Sequence, residues 1–181
     1  MKSWLNFIAS QLLWLAAVAG AAHGHWWLGP LAFLAFAVVQ LAPRYRARGD
    51  VVLMLMALPV GFAVDSTMAA TGLLHYASPV PNTHYAPVWI LALWMGFALT
   101  FNHSLGWLML RPAAAAVLGA IVGPFSYWVA SRSWGAVDFT EPLGKVLITL
   151  GLLWGAAMGL FSHVVTRHAK ARLPQQTSTG V

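Results

Sequence analysis

Two stretches decide the fold: PVWILALWMGFALTFNHSLGWLML at residues 87–110 and KVLITLGLLWGAAMGLFSHVVTRH at residues 145–168. About 20 mostly apolar residues cross the hydrocarbon core of a bilayer as a helix, and each stretch exceeds that. Each also carries a histidine near one end, His103 and His163. In the second, Gly151, Gly155, Gly159 and His163 recur at four-residue spacing, which predicts a shared helical face. Only backbone covers the glycines, so another helix can approach closely there. His163 is then expected to point into that contact and away from lipid.

The rest of the 181-residue chain follows the same pattern, with 60% hydrophobic and 8% charged residues. An average soluble domain is about 25% charged. Long apolar runs separated by short polar punctuation predict an all-α, polytopic transmembrane bundle. The net charge of +6 does not point to nucleic acid, because the basic residues sit at predicted helix ends. The absence of cysteine excludes disulfides, thiolate catalysis and thiolate-bound metal.

Six spans are predicted: Trp4–Ala22, Leu28–Ala42, Val51–Leu74, Pro87–Leu110, Ala113–Ala130 and Lys145–His168. Asn6, Ser10 and Trp14 share a face of the first, suited to helix contact. Pro59 is expected to interrupt the third span and Pro124 to break the fifth, where Gly119 and Gly123 are small contact residues. Residues 1–168 form one predicted domain, and 169–181 a flexible polar tail. With the N-terminus inside, Lys2, Arg44, Arg46, Arg48, Arg111, Arg167, Lys170 and Arg172 fall on the cytoplasmic side, against Arg132 and Lys145 opposite. The excess of basic residues predicts that both termini are cytoplasmic.

Asp65 is the sharpest candidate for chemistry. It lies about fourteen residues into span three, about 20 Å deep at helical rise. An intramembrane carboxyl needs a cavity, a donor or a proton, and no Lys or Arg lies inside a span away from its ends. Gly61, Asp65, Met68 and Gly72 share a face, which directs it toward the bundle. It either carries a proton or substrate, or is a structural acid bonded to Ser, Trp or backbone loosened by Pro59. His103 and His163 lie about 8–10 Å from the cytoplasmic end, and Gln11 at a similar depth. A cytoplasmic-side cluster of Gln11, Asn102, His103 and His163 is therefore expected to be within geometric reach. It serves either acid–base work and headgroup binding or plain interhelical hydrogen bonding.

On the opposite side, His23, His25, His75 and His84 follow no metal-ligand spacing, so they read as interfacial residues and no metal site is assigned. Trp26, Trp27, Tyr85, Trp89, Trp128 and Trp134 are expected to form the aromatic belt. Phosphate-loop, dinucleotide, zinc-protease and nucleophile-elbow motifs are absent. Paired histidines on two spans are permissive for haem or quinone without identifying a cofactor.

Asn6-Phe7 with Gln11 and Trp14, Asp65-Ser66 with Gly72, Pro87-Val88-Trp89 through Trp94, and Thr100 to His103-Ser104-Leu105 form a pattern. It continues through Trp107-Leu108, Gly119-Ala120, Gly123-Pro124-Phe125-Ser126-Tyr127 and Gly135-Ala136. This pattern resembles a family of small bacterial inner-membrane proteins catalogued as domain of unknown function 2878 (DUF2878). The resemblance covers nearly the whole chain except the tail and implies no established activity. It implies a lipid-related setting, since members are often encoded beside enzymes resembling cyclopropane fatty-acid synthases.

The expectation is an inner-membrane accessory, lipid-handling or transport component of envelope homeostasis, with membrane lipids as partners. One alternative is an intramembrane lipid-modifying enzyme using Asp65 or His103. Another is a proton-coupled small-solute carrier, against which the lack of a repeat between the halves weighs.

Overall fold

The computed structural model describes residues 2–170. Most of the polar tail, residues 171–181, lies outside the described residues. The chain runs α1 (Ser3–Ala22), α2 (Leu28–Gln40), α3 (Asp50–Ala70), β1 (Leu74–Tyr76), α4 (Val88–Ala98), α5 (Gly106–Met109), α6 (Pro112–Val129), β2 (Val137–Phe139) and α7 (Leu143–Lys170). A single π-helical turn, Ala130–Trp134, extends α6. Four helices are long and apolar enough to cross a membrane: α1, α3, α6 with its π turn, and α7.

The six-helix expectation is corrected to seven helices among the described residues, two of them short apolar ones. The stretch 87–110 is not one continuous helix. It unwinds after Ala98 because Thr100 Oγ1 bonds Phe97 O at 2.6 Å and the next backbone bonds tighten to three-residue spacing. Asn102 and His103 then turn aside to reach α3. The second span likewise stops at Gln40, whose amide is engaged outside its own helix.

The two prolines do not act as expected. α3 continues through Pro59 and α6 through Pro124. A proline costs one helical bond and a local clash, which a membrane bundle tolerates when neighbours cover the freed groups. Span three instead ends at Ala70, with Gly72 at φ +67° turning the chain. The loop after it pairs with the later polar loop as a two-stranded antiparallel ladder, with His75 opposite Asp138. Neither strand is expected from the apolar pattern.

α4 lies at the centre of the first half, packed on α1, α2 and α3. α6 and α7 form the most extensive pair, and glycines explain it. A Cβ at Gly123 would stand 2.4 Å from the Trp154 ring, and one at Gly119 2.5 Å from Met158. From α7, Gly151 and Gly155 approach the Ala120 and Ala116 carbonyls.

The expectation that His163 shares this contact is wrong. Four residues turn a helix by about 400°, so a four-residue ladder drifts about 40° per step around the axis. Gly151 is buried, Gly155 and Gly159 are half-buried, and His163 is exposed.

Candidate functional site

Two buried carboxyls stand on α3, fifteen residues or about 22 Å apart. Both side chains are fully enclosed.

Asp65 is surrounded by fixed donors. Its Oδ1 accepts from Tyr76 Oη at 2.8 Å and Tyr127 Oη at 2.5 Å. Its Oδ2 accepts from Trp94 Nε1 at 2.7 Å. An indole N–H can only donate, so the Trp94 bond has a fixed direction. One turn earlier, Gly61 makes room: a Cβ there would stand 2.3 Å from the Trp94 ring. Behind it, Trp94 stacks on Trp154 with centroids 4.4 Å apart. Among the described residues no Lys or Arg pairs with Asp65; three donors from three elements compensate its burial instead. Burial first, and then the neighbouring Asp65, push the Tyr76 phenol well above its ordinary range and keep it a donor.

Asp50 is held differently. Gly49, at φ +99°, turns the chain so that the Asp50 side chain folds back onto Ala47 N at 2.8 Å. Asn102 Nδ2 donates to Oδ1 at 2.8 Å, and His103 Nε2 lies 2.9 Å from Oδ2. Gln40 Nε2 approaches the same ring nitrogen at 2.8 Å while donating to Tyr45 O at 3.2 Å. Gln40 Oε1 accepts from Asn6 Nδ2, which also donates to Leu99 O, and Asn6 Oδ1 accepts from Ser104 Oγ at 2.7 Å. The two backbone carbonyls fix both amide orientations. His103 Nε2 can then donate to Asp50 when protonated or accept from Gln40 when not, never both.

The expected cluster of Gln11, Asn102, His103 and His163 is thus only half assembled. Asn102 and His103 meet, but on Asp50 and Gln40, which sequence reasoning did not select, and Gln40 joins them to Asn6, expected only as a helix-contact residue. His163 is exposed elsewhere, and Gln11 is exposed and donates to Ser10 Oγ at 3.4 Å. Trp89, expected in the aromatic belt, is buried and donates to Ala77 O. Tyr76 and Tyr127 were also missed; Tyr76 follows the turn at Gly72, and Tyr127 lies in the last turn of α6, where its phenol reaches Asp65.

Between α1 and α6 lies a cavity of about 580 Å³, floored by α4 and α7. Such volumes suit small-molecule sites, which span about 300–1,000 Å³. It extends from Phe7 to Val18 along α1, about 16 Å, and from Leu118 to Ala130 along α6, about 18 Å. The exposed side chains Phe7, Val122 and Phe125 edge it. Trp94 and Tyr127, two of the Asp65 donors, form part of its wall. Among the described residues, none of its lining side chains is Asp, Glu, Lys, Arg or His.

A family model described as a protein of unknown function (DUF2878) matches residues 3–160. No curated protein and no solved structure matches the chain.

Proposed function

The chain belongs to the DUF2878 family, and on that premise we propose that it is an integral membrane protein that holds a lipid chain in the cavity between α1 and α6. The observation that carries this is the cavity itself. It is elongated along the helices, edged by exposed apolar side chains and walled by aromatic and aliphatic groups. A surface of that chemistry, at the depth of the hydrocarbon core, favours an acyl or polyprenyl chain over a small polar solute. The protein then acts as an accessory, lipid-handling component of a bacterial inner membrane, with both termini cytoplasmic as the basic residues direct.

Asp65 has a supporting role in this proposal. Both its oxygens are engaged by donors that also shape the cavity wall, so the carboxyl holds Trp94 and Tyr127 in place. The arrangement favours that role over acid–base catalysis, for which an oxygen would have to face a ligand.

The test is retention of lipid through purification in a mild detergent. Wild-type protein should carry a defined lipid species at near-stoichiometric ratio by mass spectrometry. Val122→Phe and Ser126→Leu, which fill the cavity from its lining, should lose it with thermal unfolding unchanged. Equal lipid content in wild type and both filled variants would overturn the proposal.

A further inference from the structure

The hydroxyl groups lining the cavity carry a second message about its occupant. Ser10 Oγ donates to Phe7 O, Thr100 Oγ1 to Phe97 O, Ser126 Oγ to Gly123 O and Ser104 Oγ to Asn6 Oδ1, all at 2.6–2.7 Å. Tyr127 Oη donates to Asp65. A hydroxyl has one proton, so each of these five has spent its donor inside the protein and presents only lone pairs beyond it. Three of them, Ser10, Thr100 and Ser104, stand at the Asp50 end. Ser104 binds Asn6, Ser10 follows Asn6 by one helical turn, and Thr100 O caps the turn that leads into Ser104.

Building on the lipid-binding proposal, we propose that the cavity selects an uncharged lipid bearing a free hydroxyl, the chemistry shared by diacylglycerols and long-chain alcohols. A hydroxyl donates to the lone pairs left on the Ser104 oxygen or, beside the Gln11 amide, to the one remaining on Ser10. A phosphate monoester carries about −1.5 to −2 charges at pH 7, so it has little proton to give and meets lone pairs with no cation to compensate its charge. The cavity wall carries neither lysine nor arginine, the residues that recognise phosphate elsewhere. Turning a serine round to serve a phosphate gives up a short internal bond. The indole N–H groups of Trp14 and Trp107, cavity residues without a protein acceptor among the described residues, remain as donors for an ester oxygen.

The experiment compares two lipids with identical brominated chains that differ only at the third glycerol position: diacylglycerol and phosphatidic acid. Bromine quenches tryptophan on contact, and Trp14, Trp94, Trp107 and Trp154 line the cavity. Purified full-length protein in detergent is titrated with each lipid, and with a brominated long-chain alcohol. Val122→Phe and Ser126→Leu subtract quenching from outside the cavity. Saturable quenching by diacylglycerol at a midpoint at least about tenfold below that of phosphatidic acid is expected, the ratio that one unpaired polar group produces. An alcohol midpoint equal to that of diacylglycerol identifies the single-chain source, and a weaker one the two-chain source. Phosphatidic acid binding as tightly as diacylglycerol, with both lost in the filled variants, would overturn the selectivity while leaving lipid binding standing. Unsaturable quenching by all three lipids would overturn both.

Discussion

Asp50 and Asp65 share one helix and complete burial, yet the protein solves their burial in opposite ways. Asp65 receives two phenols and an indole, stiff side chains whose donors reach both carboxyl oxygens from three separate elements. Asp50 receives a backbone N–H, an amide and an imidazole, and the imidazole nitrogen is shared with a second amide. The first arrangement has one proton distribution that satisfies it best. The second has two. A buried carboxyl can therefore be either a rigid tie or an adjustable one, and the partner chemistry decides which.

The largest expected effect breaks the rigid tie. Asp65→Leu strands three buried donors and should cost about 3 kcal/mol or more in detergent unfolding experiments. Asp65→Asn should cost only about 1 kcal/mol, because its oxygen can serve Trp94 while both phenols turn to accept from the amide. Equal losses for Leu and Asn would show that charge, not hydrogen-bond completion, holds the site. Next comes the adjustable tie. His103→Ala should cost about 1–2 kcal/mol, since Asp50 keeps Asn102 and Ala47, and Gln40 keeps Tyr45 and Asn6. A loss larger than that of Asp65→Leu would invert the comparison.

The smallest effect sharpens it. Tyr76→Phe leaves Asp65 Oδ1 with Tyr127 and should cost about 0.5–1.5 kcal/mol at neutral pH. Above about pH 10 the same variant should behave better than wild type relative to its neutral stability. The Tyr76 phenol is raised in the folded state, so its contribution is complete below the unfolded phenol value of about 10 and is lost as pH rises toward the folded one. Unfolding midpoints at pH 9 and pH 11 check this; parallel declines in wild type and variant would remove Tyr76 from the account.

The apolar runs, the small-residue contact faces of α6 and α7 and the burial of Asp65 were legible because each has a local signal. Length marks a span, glycine at helical spacing marks a contact, and a carboxyl inside a run stands out. The Asp50 centre was not legible. Asp50 reads as the last residue of a basic loop, and Gln40 as the polar end of a span. Their side-chain partners lie 34–63 positions away, from Asn6–Gln40 to Gln40–His103, so no window contains them. The unwinding after Ala98 was hidden for a different reason. Leu99 to Leu110 is as hydrophobic as a helix requires, and it is redirected by the Thr100 bond to Phe97 O together with the bonds of Asn102 and His103 to Asp50. His163 failed through arithmetic, since four-residue spacing does not keep one face over three turns.

The Asp65 tie also has a timetable. Its donors lie 11, 29 and 62 residues further along the chain. During synthesis α3 emerges with its carboxyl unaccompanied, gains Tyr76 from the connecting loop, and reaches Trp94 only with α4. The last donor arrives with the end of α6. Placing a lone aspartate at the centre of a membrane helix costs about 2.5–3.5 kcal/mol. α3 is therefore a poor passenger until three later helices, α4 to α6, have been made. The nascent chain must stay beside the insertion machinery, or in contact with its own later segments, well past the point where α3 is complete.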